Sequence, residues 1–344
     1  MPTPSTQPRR VLVTGGAGFI GSHLTDLLLA GGHHVVVVDD LSTGRRSNLP
    51  DSHPRLTFLQ ASLEHALAGD LRSERFDAIH HLAAAVGVRL VVEDPIRSIN
   101  TNIHAAAELL AYAVTHGPGG APAPTLIASS SEVYGKASKS PFSEEDDVVY
   151  GPTHVARWSY ACSKAIDEYL ALAYHRQHRL PVVIARFFNT VGPRQVGDYG
   201  MVLPRFVSAA LTGKDLHVHG DGTQSRCFCD VRDVSGILPT LLHAPHCHGG
   251  VFNVGSDRVL TIRELADMVV RVVGSTSGVR TVPYAEAYSS GFEDLRQRRP
   301  DLSRIRQAVG FCPTIPLETT IQDVAGWLRS ESHNAPRTGD RGGL

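Results

Sequence analysis

Val11-Leu-Val13-Thr14-Gly15-Gly16-Ala17-Gly18-Phe19-Ile20-Gly21 is the stretch on which the fold turns. A short β-branched run leads into it, and a helical pattern from Gly21 to Leu29 leads out. Its three spaced glycines each answer a physical need. Gly15 permits a tight turn, Gly18 lets main chain approach a pyrophosphate, and Gly21 lets a helix pack close to a strand. The helix start then offers unbonded N–H groups and the positive end of its dipole to phosphates. Asp39 closes the next apolar run, Val35-Val-Val-Val38, about twenty residues after the glycines. A carboxylate there accepts hydrogen bonds from adenosine ribose hydroxyls and repels a 2′-phosphate, which selects NAD over NADP. Asp40 and Ser42 are further candidates for this contact, and the competing reading is that they only cap the turn.

Working outward, apolar runs at Ala78–Leu82, Thr125–Ala128 and Val182–Ala185 alternate with helical patterns at Asn102–Val114 and Ser163–His175. Strands alternating with helices imply a parallel sheet with right-handed crossovers, buried on both faces. The expected class is therefore α/β: a doubly wound parallel sheet over residues 10–190, then a smaller mixed α/β lobe over 191–330. In that lobe Pro204–Leu211, Ile262–Val273 and Leu317–Leu328 read as helices, and Phe228–Val234 and Val251–Val254 are segments that can return to the main sheet. Residues 1–9 and 331–344 lack apolar periodicity and are expected to be disordered ends.

The 344 residues carry 33 basic and 34 acidic side chains, so no global charge argues for nucleic acid or a membrane surface. No apolar run is long enough to span a bilayer, and the first ten residues do not read as a signal peptide. Five irregularly spaced cysteines fit reduced thiols in a cytoplasm. His243, His246, Cys247 and His248 cluster in what reads as a surface loop, and no metal site is expected.

Tyr160-Ala-Cys-Ser-Lys164 places a phenol and an ammonium on one helix face. Such a Lys stabilises the phenolate and lowers the Tyr pKa toward the working range of a general base. About thirty residues earlier, Ser129-Ser130-Ser131-Glu132-Val133-Tyr134-Gly135 follows an apolar strand, where ligands bind in such sheets. Ser131 and Ser130 are both candidates to align a substrate hydroxyl.

Together these motifs resemble the extended short-chain dehydrogenase/reductase family over roughly residues 10–330. Its members include nucleotide-sugar 4-epimerases, 4,6-dehydratases and uronic-acid decarboxylases. The resemblance implies a Rossmann domain with tightly bound NAD and a C-terminal lobe that grips a nucleoside diphosphate. It implies removal of the sugar 4-OH proton by Tyr160, aided by Lys164, as NAD takes the C4 hydride. It extends the cofactor contacts to Phe19, Ile20, Gly44, Ser62, Leu63, Leu82, Ala83, Ala84 and Asn102. Arg89, Asn189, Arg194, Val202, Leu203, Arg205, His219, Arg226, Arg298 and Asp301 fall where relatives contact the substrate. Many relatives carry Asp where Ser62 stands.

The fate of the 4-ketone is read from Ser130-Ser131-Glu132. Dehydratases resemble Thr-Asp-Glu, and the acid is missing at 131. Uronic-acid decarboxylases resemble Thr/Ser-Ser-Glu, with the Glu near C5 and C6 and an Arg matching Arg298, and Arg157-Trp158-Ser-Tyr160 also resembles a bacterial decarboxylase. Those enzymes carry a Tyr where Val91 stands. The expectation is decarboxylation of UDP-glucuronate to UDP-xylose or UDP-4-keto-pentose. A UDP-glucuronate or UDP-glucose 4-epimerase is the alternative, with a 4,6-dehydratase and a non-catalytic NAD-binding regulator behind it. The resemblance also implies a homodimer through the helices of Asn102–Val114 and Ser163–His175.

Overall fold

The computed structural model describes residues 8–84, 94–197, 201–283 and 297–334, with side chains as far as Glu331. In chain order the elements are β1 (Arg10–Thr14), α1 (Phe19–Ala30), β2 (His34–Asp39), β3 (Leu56–Gln60), α2 (Leu63–Ala68), β4 (Ala78–His81), α3 (Pro95–Ala113), β5 (Thr125–Ser130), α4 (Arg157–His178), β6 (Val182–Phe187), β7 (Thr190–Val191), α5 (Val202–Leu211), β8 (Leu216–His219), β9 (Ser225–Cys227), β10 (Cys229–Asp230), α6 (Val231–His243), β11 (Gly250–Val254), β12 (Val259–Thr261), α7 (Ile262–Val273), β13 (Val279–Val282), β14 (Gln297–Arg298), α8 (Ser303–Val309) and α9 (Leu317–Asn334).

Seven strands form one parallel sheet in the order β11-β6-β5-β4-β1-β2-β3. Its central strands are buried at almost every position because both faces are covered. Side chains alternate sides: Val11, Val13, Val35 and Val37 pack with Leu24, Leu28, Leu238 and Ile305 from α1, α6 and α8. Leu12, Val36, Val38 and Ile79 face Leu63, Leu109, Leu110 and Ala171 from α2, α3 and α4. Val35–Val38 are each at most 3% exposed, and each burial is worth about 1.5–3 kcal/mol. The glycine stretch behaves as its spacing predicts, running from β1 into α1.

The second lobe packs α5, α7 and α9 around Leu203, Phe206, Leu216, Val218, Leu265, Val269, Ile321 and Val324. Helix α7 is set by local chemistry. Thr261 and Glu264 form a reciprocal capping box at its start, and Gly274 closes it in the left-handed region at φ 71°. Three small sheets, β12-β9-β14, β13-β8 and β10-β7, complete the lobe.

Three expectations need correction, and one strand goes unread in the sequence. Strand β3 carries no clear sequence signal, because it is an edge strand with partly exposed side chains. Of the two segments able to return to the main sheet, only Gly250–Val254 does, beside β6. Cys229–Asp230 instead pairs with β7, and Val231 begins a helix capped by Asp230. The final helix continues through Asn334, into a span expected to be disordered, and Arg45 meets Glu331 at 2.9 Å there. At the other end Arg9 is fixed to the β1–β2 layer, its carbonyl accepting from the His34 amide at 2.8 Å and its amide donating to His33 Nδ1 at 3.1 Å.

Candidate active site

The site lies where β1, β2, β4 and β5 end. Gly15 has φ +69°, and a Cβ on it would sit 2.7 Å from the Ala83 amide nitrogen. A Cβ on Gly21 would overlap the Gly15 carbonyl oxygen. Gly18 is the N-cap of α1 and supplies no side-chain cap, so the first turn of α1 has none of its N–H groups taken by a cap. Asp39 ends β2 buried, its Oδ2 accepting from the Ala17 amide and its Oδ1 from the Leu41 amide, both at 2.9 Å. Burial pushes its carboxyl upward against the pull of those amides. Gly44 lies against this carboxylate, where a Cβ would be 2.8 Å from Oδ1. Leu82 and Ala83 close the floor, their amides donating to the Thr14 carbonyl and hydroxyl. A glycine cradle that side chains would fill, next to a buried carboxylate at the end of β2, fits a dinucleotide such as NAD.

Other expected cofactor residues are placed differently. Asp40 accepts from the Ser42 amide at 2.9 Å, which is the turn-capping role. Ser62 caps α2, accepting from the His65 amide, and its hydroxyl also meets His65 Nδ1 at 2.8 Å. Asn102 joins two helices, its Nδ2 donating to Ser163 Oγ at 3.2 Å.

Tyr160 and Lys164 share a face of α4, as their spacing requires. The serine that acts on the phenol is Ser130, which favours its ionised form and also accepts from the Glu132 amide. Ser131, the other candidate, opens the 3-10 turn that follows β5 and is buried. The phenol is also not lowered overall. Burial raises it, Glu132 and Asp167 add to the rise, and together they outweigh Lys164 and Ser130. Lys164 Nζ is 3.0 Å from Asp167 Oδ2, with both side chains buried. Behind them Arg186 grips Glu168 with two bonds of 2.7 and 2.9 Å, and Ser129 donates to the same carboxylate at 2.5 Å.

Glu132 sits at the junction of the two lobes. Arg298 NH1 donates to its Oε1 at 2.6 Å, and Arg157 NH2 lies 3.7 Å from its Oε2. Arg226 is the register partner of Arg298 across β9 and β14. Burial would raise the Glu132 carboxyl, but Arg298, Arg157 and Arg226 together hold it below its ordinary value. Among the described residues one carboxylate stands among three guanidiniums, a set of donors of the kind that binds anions. The strand carrying Arg298 is held to the first lobe by main chain: Phe142 donates to the Arg299 carbonyl at 2.8 Å, and Asp301 donates back to Phe142 at 2.7 Å.

Several expected substrate contacts are not gathered here. Arg194 pairs with Asp26 of α1 at 2.8 Å, two turns from the glycine loop. Leu203 is fully buried in the second lobe's core, and the Asp301 carboxylate accepts from the Ser303 amide at the start of α8. Asn189, at φ +28°, donates to the Cys227 carbonyl at 3.1 Å. Val202 opens α5, and Arg205 meets His219 at 3.3 Å. Arg89 and Val91 lie outside the described residues. Arg157, Asp167 and the Ser129–Glu168–Arg186 set are the additions. Arg157 and Asp167 each stand three residues from Tyr160 or Lys164, and that helical spacing is the signal for them. His246 Nε2 and His248 Nε2 lie against the carbonyls of Ala308 and Leu242. Among the described residues no group of three His, Cys, Asp or Glu side chains is arranged to hold a metal.

A model described as the NAD dependent epimerase/dehydratase family matches residues 11–255. A UDP-N-acetyl-alpha-D-glucosaminuronate decarboxylase of Bacillus cytotoxicus is 37% identical over 93% of this chain and 98% of its own. UDP-glucuronic acid decarboxylase 1 of Danio rerio is 34% identical over 95% of this chain and 75% of its own. The solved structure of a UDP-glucuronic acid 4-epimerase from Bacillus cereus, in complex with UDP-glucuronic acid and NAD, aligns with TM-score 0.80 at 27% identity, covering 94% of this chain and 99% of that one.

Proposed function

The chain belongs to the NAD-dependent epimerase/dehydratase family, and on that footing we propose that it decarboxylates a UDP-linked uronic acid, UDP-glucuronate, through a 4-keto intermediate. The product is UDP-xylose or the UDP-4-keto-pentose. The observation that carries the reading is the 2.6 Å Glu132–Arg298 pair beside Tyr160, with Arg157 flanking it. The two decarboxylases above support it.

Gly15, Gly18, Gly21 and Asp39 would hold the cofactor, which when bound would supply the acceptor for the C4 hydrogen. The ionised Tyr160 takes the 4-OH proton, and Lys164 and Ser130 stabilise its phenolate. With a ketone at C4, a carboxylate at C6 belongs to a β-keto acid. The C5–C6 bond breaks, its electron pair moves into the C4 ketone as an enolate, and carbon dioxide leaves. A proton then returns to C5. The Arg157–Arg226–Arg298 corner holds the anionic end of the substrate, and Glu132 orients Arg298 at the C5–C6 side.

A second reading, 4-epimerisation of the same substrate, is favoured by the likeness to the Bacillus cereus epimerase. Purified protein incubated with UDP-glucuronate, with UDP-N-acetylglucosaminuronate as a parallel arm, separates the readings by product mass. Loss of one carbon dioxide supports decarboxylation, an unchanged mass with a new sugar means epimerisation, and loss of water means dehydration. No turnover of either sugar would sink the assignment.

The chain is further assigned as a cytoplasmic homodimer. Ile96 of α3 and Ile166 and Tyr169 of α4 are 73, 41 and 65% exposed, an apolar surface suited to pairing these helices with those of a second copy. All five cysteines are free thiols, which supports a reducing compartment. Light scattering that returned a monomer mass, or cell fractionation that placed the protein elsewhere, would remove these assignments.

A further inference from the structure

Lys164 and Asp167 stand one helical turn apart on α4, with Nζ 3.0 Å from Oδ2 and the two side chains 2% and 0% exposed. The chemistry above uses Lys164 and leaves Asp167 without a task. A carboxylate this deeply buried is costly unless it is paired and its oxygens are satisfied. Here only one oxygen is: Asp167 Oδ1 is buried with no hydrogen-bond partner. A residue serving the fold alone would not need a charge at this place.

We propose that Asp167 is a positioning residue that keeps the Lys164 ammonium charged and fixed beside Tyr160. This rests on the reading of Tyr160 and Lys164 as the proton-transfer pair. Among the described residues the charged and titratable groups around the two are few. Tyr160 and Glu168 come from α4 itself, Glu132 from the turn after β5, and His81 from β4. Glu168 is already bonded to Arg186 and Ser129, and Glu132 to Arg298. His81 is held neutral, pushed down to about 3 by burial and by Lys164. Among the described residues Asp167 is therefore the anion bonded to Lys164. Burial alone would lower the ammonium's pKa, yet Asp167, Tyr160 and Glu168 raise it above its ordinary value. Asp167 also opposes ionisation of Tyr160, but Lys164 acts on that phenol more strongly. A charged Lys164 held by Asp167 is thus a net gain for the base.

The test uses holoenzyme carrying Asp167→Asn, Asp167→Ser or Asp167→Glu. Single-turnover reduction of bound cofactor by UDP-glucuronate is followed across pH, and denaturant unfolding of the cofactor-free protein is followed across the same range. Asn and Ser should lower the rate about tenfold and move its alkaline limb down by about one unit, with KM for the sugar unchanged. Glu should keep the wild-type limb. Unfolding carries a separate signature. In the wild type the folded Lys164 pKa lies above the unfolded value, so its stability is present below the unfolded pKa and is lost as pH rises through the folded one. In Asp167→Asn the folded pKa falls below the unfolded value, so stability should rise from neutral pH to about 10, where only the unfolded Lys binds the proton. An unmoved alkaline limb in Asn and Ser, or a wild-type stability profile in Asn, overturns the proposal. Failure of all three variants to fold also overturns it, since Asp167 would then serve the fold. A wild-type enzyme inert toward UDP-glucuronate counts against the functional reading alone, and the unfolding arm still decides on Asp167.

Discussion

At the glycine-loop end of the site, main chain does the shaping: Gly15 lies against Ala83, Gly21 against the Gly15 carbonyl, and Asp39 is held by the Ala17 and Leu41 amides. At the Glu132 end, side chains do it, drawn from positions as far apart as Arg157 and Arg298 and joined through one carboxylate. A main-chain cradle tolerates almost no added atom but is indifferent to which reaction follows. A side-chain corner tolerates substitution sterically and changes chemistry when altered. That division explains how one cofactor platform can serve the decarboxylases and epimerases this chain resembles, with the fate of the 4-ketone set by a few residues at the far end.

The largest effect expected is at the hinge between the two ends. Tyr160→Phe should slow cofactor reduction by about 10²–10⁴-fold while leaving NAD affinity intact, because it removes only the proton acceptor. Activity within a few-fold of wild type would show that another group is the base. Gly21→Ala attacks the main-chain end. Overlap with the Gly15 carbonyl should cost about 1–3 kcal/mol of stability and weaken NAD binding in calorimetry. Unchanged melting and affinity would mean the cradle is softer than its contacts imply. Glu132→Gln attacks the side-chain end and should separate the two halves of the reaction. Cofactor reduction should survive better than carbon dioxide release, read side by side in one reaction. Equal loss of both would erase the contrast drawn above.

A further effect, visible only on acidification, concerns the sheet beneath both ends. His80 on β4 is fully buried, and neither ring nitrogen has a hydrogen-bond partner. Burial, with His243 behind it, pushes His80 down to about 3. Its folded pKa lies below the unfolded one, so the stability it confers is present above about 6.5 and is lost as pH falls toward 3. In His80→Leu the slope of unfolding free energy between those limits should flatten by one proton, about 1.4 kcal/mol per pH unit. An unchanged slope would mean His80 does not remain neutral in the folded protein.

The main-chain end was legible because its causes are local. A glycine triplet, a uniformly apolar strand such as Val35–Val38 and an acidic residue closing it all lie within thirty residues of sequence. Strand β3 was not legible, since an edge strand with mixed exposure lacks both the alternating and the uniform pattern. The side-chain end was only partly legible. Glu132 and Arg298 could be named by resemblance, but their bond spans two lobes and leaves no periodic mark. Ser130 and Ser131 are adjacent, and only the turn after β5 decides which faces Tyr160. Ser62, Arg194 and Asp301 match family positions, and each also has a local partner that the sequence does not announce.

The return of β11 to the sheet beside β6 also has a consequence for how the protein is made. The first lobe is not finished when its last sequential strand, β6, leaves the ribosome. Its outer neighbour arrives only with Gly250–Val254, after β7 to β10, α5 and α6 have been synthesised. Until then the nascent chain exposes an unpaired β6 edge, the kind of surface that recruits stray strands. A fragment ending near residue 190 would keep that edge permanently, so the lobes cannot be expressed apart by cutting the gene between them.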